Sequence, residues 1–193
     1  EKVMERATTH SSGPYDVPHV SSDCYAMYTN NPPAGAFRGF GVTQSTFAIE
    51  SMMDMLASAI NLDPISLRRL NALREGSITS TGQVLTESVG LLECIDRVEI
   101  AMKKSSGEDP FKVRSEGNRR IAWGFAVAYK NTGFGGGAVD AAAAEVELCP
   151  DGRLEVRTSS AELGQGLSTV LQSITAQEMA VSPSLVNVFL MDT

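Results

Sequence analysis

The chain has 193 residues, 42% of them hydrophobic and 20% charged, and carries a net charge of −7. A chain of this length buries roughly 70% of the surface that its unfolded form exposes, so a core can form without disulfides or a structural metal, as in an ordinary globular protein. The negative charge argues against nucleic acid and anionic membranes as partners, because both call for a basic surface.

Residues 1–35 are rich in Ser, Thr, Pro and Asn and read as short strands and loops. The run Ala36-Phe37-Arg38-Gly39-Phe40-Gly41 follows. Beyond it, Ile49, Met52, Met53, Leu56 and Ile60 fall on the stripe of an amphipathic helix. Asp63 and Pro64 then predict an N-cap and first turn for a second helix, reaching about Arg74 with Gly76 as its stop. Leu91, Ile95, Val98 and Met102 predict a third helix over about 90–104. The stretch 105–120 is polar, is broken by Gly and Pro, and reads as a linker between two subregions, 1–104 and 121–193. Past it the period shortens: 121–129 is strand-like, and Ala144–Leu148 and Leu154–Val156 alternate around Asp151-Gly152 as a hairpin. Gly164-Gln165-Gly166 precedes a helical stripe at Leu167, Val170, Leu171 and Ile174, and 185–191 reads as a last strand. The expected fold is therefore α/β in the mixed α+β sense, with helices in the first half and a mixed sheet with a helix in the second. The whole reads as part of a larger domain.

Two segments share a design. At 36–41 and at 164–166 a glycine-punctuated turn runs straight into the start of a helix. Free N–H groups and the positive end of the helix dipole favour anions there. Glycine lets the backbone approach a ligand closely, and Arg38 adds a planar donor fork suited to phosphate or oxo groups. Tight loops that serve packing alone would look the same, so the pattern needs further support.

Other chemistries fit less well. Gly133-Phe134-Gly135-Gly136-Gly137 does not match a dinucleotide fingerprint and lies between strand-like runs, so it reads as a hairpin connection; no P-loop motif exists. Ser160, Ser168 and Ser173 have no histidine near them in sequence and no nucleophile elbow. Glu145 and Glu147 read as the solvated face of a strand. Cys24, Cys94 and Cys149 lack metal-ligand spacing and read as three reduced thiols in a cytoplasmic compartment. His10 and His19 match no zinc pattern, and no apolar run of membrane-spanning length or signal peptide is present. The chain opens at Glu1 and stops behind an apolar run, so both ends read as cuts in a longer polypeptide.

Taken together, AFRGFG with Gln44, then Glu162-Leu163-Gly164-Gln165-Gly166 with Thr169, resemble the molybdopterin-binding region of xanthine dehydrogenases and aldehyde oxidases. Met4-Glu5-Arg6-Ala7 ahead of Arg38 fits the same family's spacing, and the likeness runs along essentially the whole chain. The resemblance implies a molybdenum–molybdopterin cofactor, in its plain or cytosine dinucleotide form. It also implies hydroxylation of an aldehyde or N-heterocycle with oxygen from water, and electron transfer to iron–sulfur clusters and FAD on other domains or subunits. Carried over by residue, it implies that Phe37, Arg38 and Gly39 present backbone N–H groups to the metal's oxo region. Gly164, Gln165 and Gly166 would hold the pterin or its phosphate. Phe40 would pack on an aromatic substrate, and Arg6 would face the substrate and stabilise negative charge as a catalytic group. Arg6 favours the purine-hydroxylating branch over the aldehyde-oxidising one, which usually lacks a basic residue there.

The sequence departs from the family at Val42-Thr43, where Gly-Pro is common, and at Ser168, where many members have histidine. The family's catalytic glutamate would lie far beyond residue 193, so this piece is expected to be inactive by itself. Two rivals remain at this stage: a cofactor-free scaffold for subunit assembly, and a phosphoanion-binding domain of unrelated chemistry. The main expectation is that the bends at 36–41 and 164–166 gather around one metal–pterin group.

Overall fold

The structure, a computed structural model, describes all residues except 1, 33, 34, 108, 134–138, 140 and 191–193. It has two compact units, 1–130 and 131–193.

The first unit is helical: α1 (Lys2–Thr9), α2 (Val42–Ala59), α3 (Pro64–Asn71) and α4 (Leu91–Ser106), followed by a two-stranded hairpin of β1 (Arg114–Glu116) and β2 (Arg119–Ile121). Asp63 caps α3 by accepting from the Ser66 N–H at 2.7 Å, and Pro64 opens the first turn. The helix stops at Asn71, short of Arg74. Here the chain turns extended and pairs with an earlier segment: Leu73 N–H donates to Pro14 O at 3.0 Å, and Asp16 N–H to Asn71 O at 2.8 Å. On α4, Ile95 and Met102 are buried while Val98 is open.

Three expectations need correction. The start of the chain is helical at Lys2–Thr9 rather than strand and loop. It has no apolar stripe to announce it; docking against Gly41 holds it. The stripe read on α2 is rotated. Its inward residues are Glu50, Met53 and Ala57, spaced i, i+3, i+7, whereas Met52, Leu56 and Ile60 are largely exposed. A buried carboxylate sits where hydrophobic periodicity expects a hydrocarbon.

The third correction concerns 121–129. Only Ile121 belongs to a strand. Val127 packs on two core clusters, one of Tyr15, Met53, Ala57 and Leu67, the other of Ile65, Ala72, Ile95 and Met102, and Phe125 packs on the second. The Val127 N–H is taken by the Glu50 carboxylate at 3.0 Å rather than by a neighbouring strand. This packing carries 121–130 with the helical unit, and the division between units falls after Lys130. The stretch 105–120 itself contains the end of α4 and the β1–β2 hairpin.

A charged network ties the first unit together. Arg68, fully buried, donates Nε to Glu50 Oε2 at 2.7 Å, Nη2 to Glu50 O at 3.0 Å and Nη1 to Pro64 O at 3.1 Å, and pairs with Asp54 at 2.8 Å. The Tyr15 hydroxyl donates to the other oxygen of Glu50. Burial, and then the Glu50 carboxylate, push the Tyr15 phenol far above its usual range. A raised folded pKa favours the protonated form in the fold, so its stabilisation is intact below about pH 10 and lost as pH rises beyond. Unfolding free energy should therefore fall between about pH 10 and 12, and Tyr15→Phe should flatten that slope. An unchanged slope in urea titrations of the variant would refute the assignment.

The second unit is a three-stranded sheet in the order β3 (Ala144–Leu148), β4 (Leu154–Thr158), β5 (Val186–Leu190), with α5 (Leu167–Glu178) between β4 and β5. β3 and β4 pair antiparallel, Val146 opposite Val156, around Asp151-Gly152, where Gly152 takes φ +83°. β4 and β5 run parallel, which needs a crossover, and α5 supplies it. Leu154, Val156, Ala176 and Val186 form the core. Glu145 and Glu147 lie on the exposed side of β3 beside Arg157, and such ion pairs add little stability. The glycine-rich connection read at 133–137 lies, from 134 on, outside the described residues. Among the described residues no helix is long and apolar enough to cross a membrane.

Candidate functional site

The first bend is built by glycine. Phe40 N–H donates to Phe37 O at 2.7 Å, closing a turn whose third residue, Gly39, has φ +75°. That is the left-handed value a type II turn asks for. Gly41 caps α2 at φ +78° and is pressed against α1. A Cβ there would lie 2.3 Å from Val3 O, 2.6 Å from Arg6 Cβ and 2.7 Å from Ala7 N. The close approach that glycine permits is thus to another helix, and it sets Arg6 beside the bend.

Arg6 is buried, with 8% of its surface exposed. His10, one turn on, is also buried; its Nδ1 lies 2.9 Å from Arg6 O, an acceptor only, so Nδ1 donates. The His10 ring stands 5.0 Å from the Tyr129 ring. A cavity of about 530 Å³ opens here, walled by Gly39, Val42, Thr43, Thr46 and Phe47 on one side and Ala128, Tyr129 and Lys130 on the other. Burial and the charges of Lys130 and Arg6 lower the His10 pKa, although its bond to Arg6 O opposes them. Burial, then Arg6, lower the Lys130 pKa. Arg6 and Lys130 thus lie near enough to His10 to influence its protonation, and Lys130 stands on the wall of the cavity.

Of the motif residues, Gly39 lines this cavity, while Phe37 and Arg38 are exposed and Phe40 is half-buried outside its lining. Tyr129, Lys130, Thr43 and Phe47 were not singled out by sequence reasoning. Thr43, Thr46 and Phe47 carry a usable signal: they follow Gly39 at helical spacing and extend the Glu50–Met53–Ala57 stripe toward the start of α2. Lys130 closes an apolar run, which says only that the run ends.

The second bend, in the other unit, is also built by glycine, with Gly164 at φ +90° and Gly166 at φ +76°. Its N–H groups converge on one anion, and that anion is the chain's own Glu162. Glu162 Oε1 accepts from Gly164 N–H at 2.7 Å and Gly166 N–H at 3.0 Å, and Oε2 from Ser168 N–H at 3.4 Å. Led by the Gly166 bond, these contacts lower the Glu162 pKa. Gln165 folds back on its loop: Oε1 accepts from Leu163 N–H at 2.6 Å and Nε2 donates to Ala161 O at 2.8 Å. Sequence reasoning read the glycines as an anion cradle and did not notice that a carboxylate two residues upstream could fill it. The two bends belong to different compact units. Among the described residues no three His, Cys, Asp or Glu side chains gather as a metal-ligand set.

Comparison with known proteins adds an independent line. A family model described as a molybdopterin cofactor-binding domain matches residues 1–72, and a second of the same description matches 93–193. The nicotinate dehydrogenase large molybdopterin subunit of Eubacterium barkeri is 52% identical over 95 residues, covering 49% of this chain and 22% of that protein. The xanthine dehydrogenase molybdenum-binding subunit of an Escherichia coli strain is 35% identical over 163 residues, covering 83% of this chain and 21% of that protein. Among solved structures, the aldehyde oxidoreductase of Desulfovibrio desulfuricans matches with TM-score 0.68 and 25% identity, covering 97% of this chain and 20% of that one. The chain thus spans less than a quarter of the length of these relatives.

Proposed function

Because this chain belongs to the molybdopterin cofactor-binding family, we propose that it lines the molybdenum site of a hydroxylase whose substrate is an N-heterocycle. The bend at 164–166 turns three N–H groups onto one anion, the chain's own Glu162, so a pterin phosphate held there would have to take the place of that carboxylate. When bound, the cofactor supplies the oxidation, delivering oxygen drawn from water and taking up the electron pair. The protein binds and orients.

In this reading Phe37, Arg38 and Gly39 turn backbone N–H groups toward the metal's oxo region, and Gly164, Gln165 and Gly166 hold the pterin or its phosphate. Phe40 packs on the substrate ring, and Arg6 stabilises the negative charge that develops on it. The two bends gather around one cofactor. Electrons pass to iron–sulfur and FAD centres on other domains or subunits of a cytoplasmic enzyme. The names nicotinate dehydrogenase and xanthine dehydrogenase among the relatives favour a heterocycle over an aldehyde.

The observation that carries this is Arg6: a buried side chain, held beside the first bend by the Gly41 contact. Arg6→Gln in the intact protein should cut turnover of a heterocycle about 100-fold, the usual scale for removing one such donor, while molybdenum and pterin content stay constant. Intact protein without molybdenum would sink the reading. An equal loss with heterocycle and aldehyde would move it to the aldehyde-oxidising branch.

A further inference from the structure

The second bend already has an occupant, and the way that occupant is held decides what else can enter. Glu162 lies two residues ahead of Gly164, and both of its carboxylate oxygens are engaged. Oε1 takes the N–H groups of Gly164 and Gly166, and Oε2 takes that of Ser168. Gly166, the N-cap of α5, has no side chain with which to cap the helix, so the Glu162 carboxylate satisfies the first turn instead. Gly164 and Gly166 both hold positive φ, and a single oxygen bonded to both N–H groups fixes the turn between them. Between them, the Gln165 N–H makes no hydrogen bond among the described residues. A phosphate entering this bend would have to displace a tethered carboxylate, whose effective concentration is on the order of millimolar or more. It would also approach a chain that carries −7, and would leave a second anion beside itself once Glu162 was expelled.

We propose that Glu162 is a positioning residue for the cofactor: its carboxylate is the resident anion of the bend, excludes phosphate from it, and holds the turn in the shape that offers the Gln165 N–H to the pterin. The inference rests on the reading that this bend faces the cofactor, and it narrows the contact there to the pterin itself rather than its phosphate.

The test is amide hydrogen exchange over 164–168 in the intact chain purified without cofactor, joined to molybdenum and pterin content of the protein purified with it. In wild-type protein, inorganic phosphate should leave exchange over 164–168 unchanged. Glu162→Ala should speed that exchange about tenfold or more, the scale of losing hydrogen bonds to a charged group. Formate or inorganic phosphate should then slow it again, because the emptied bend is open to a free anion. Cofactor content should fall in Glu162→Ala, and Glu162→Gln, which keeps one acceptor oxygen, should retain more of it. Phosphate that slows exchange in wild-type protein would overturn the proposal, and that measurement needs no variant. So would unchanged exchange in Glu162→Ala, a variant that responds to neither anion, or full cofactor content without the carboxylate. Exchange is read whatever the metal content. Absence of molybdenum from the intact protein would therefore sink the hydroxylase reading, while the exchange results would still decide whether Glu162 is the bend's resident anion.

Discussion

Gly41→Ala should be among the most damaging single-methyl additions possible in this chain. The residue sits at φ +78°, ψ −47°, where an L side chain is strained by about 1–3 kcal/mol. The added carbon would also lie 2.3 Å from Val3 O and 2.7 Å from Ala7 N, both backbone atoms of α1, and 2.6 Å from Arg6 Cβ. None of these can swing aside as a side-chain tip could, so overpacking adds a further 1–3 kcal/mol or so. The cheapest escape is for α1 to leave. The expected result is a loss of about 3 kcal/mol or more in urea unfolding, with faster amide exchange along Lys2–Thr9. Gly39→Ala is the control: φ is +75° there, but the nearest atom is Thr43 Cγ2 at 3.5 Å, leaving only the conformational strain. If Gly41→Ala were no worse than Gly39→Ala, α1 would not be docked as described. Because α1 carries Arg6 and His10, the same substitution should also carry them away from the first bend.

Arg68→Met should cost about 3–5 kcal/mol, because it strands a carboxylate in the core. Glu50 is 5% exposed and receives Arg68 Nε, the Tyr15 hydroxyl and the Val127 N–H. Burial by itself would lower the Arg68 pKa; its bonds to Glu50 and Asp54 outweigh that and leave it raised. A double variant, Glu50→Leu with Arg68→Met, should recover much of the loss, since hydrocarbon can replace a buried ion pair at little net cost. It should not recover all of it, because Tyr15 and the Val127 N–H would lose their acceptor. A double-mutant cycle measures the coupling; strictly additive single losses would refute the pairing. The network also reaches the cavity. Glu50 fixes Val127, and the next residues, Ala128, Tyr129 and Lys130, form one wall. Glu50→Leu should therefore loosen that wall and weaken ligand binding more than its cost in stability alone would require.

Much of the local structure was legible in the sequence, for a shared reason. Asp63-Pro64, the Asp151-Gly152 hairpin and the glycine bends at 36–41 and 164–166 are fixed by backbone sterics and hydrogen bonds within a few residues, so their signals are local. The α2 face was misread because periodicity treats a carboxylate as outward-facing. Glu50 turns inward only because Arg68, 18 residues later, and Tyr15, 35 residues earlier, meet it. For the same reason the run at 121–129 looks like a strand by pattern, yet its partner at Val127 is a side chain.

By itself, then, the sequence determined where the chain bends, that α2 to α5 and the Asp151-Gly152 hairpin form, and which family its two glycine motifs resemble. The tertiary structure decided the rest: that α1 exists and seats Arg6 against Gly41, that Glu162 fills its own bend, and that Lys130 and Tyr129 share a cavity with Thr43 and Phe47. Those outcomes depend on desolvating charges and closing contacts between distant segments. The energy of such contacts is set by the neighbour that arrives, which no local pattern encodes.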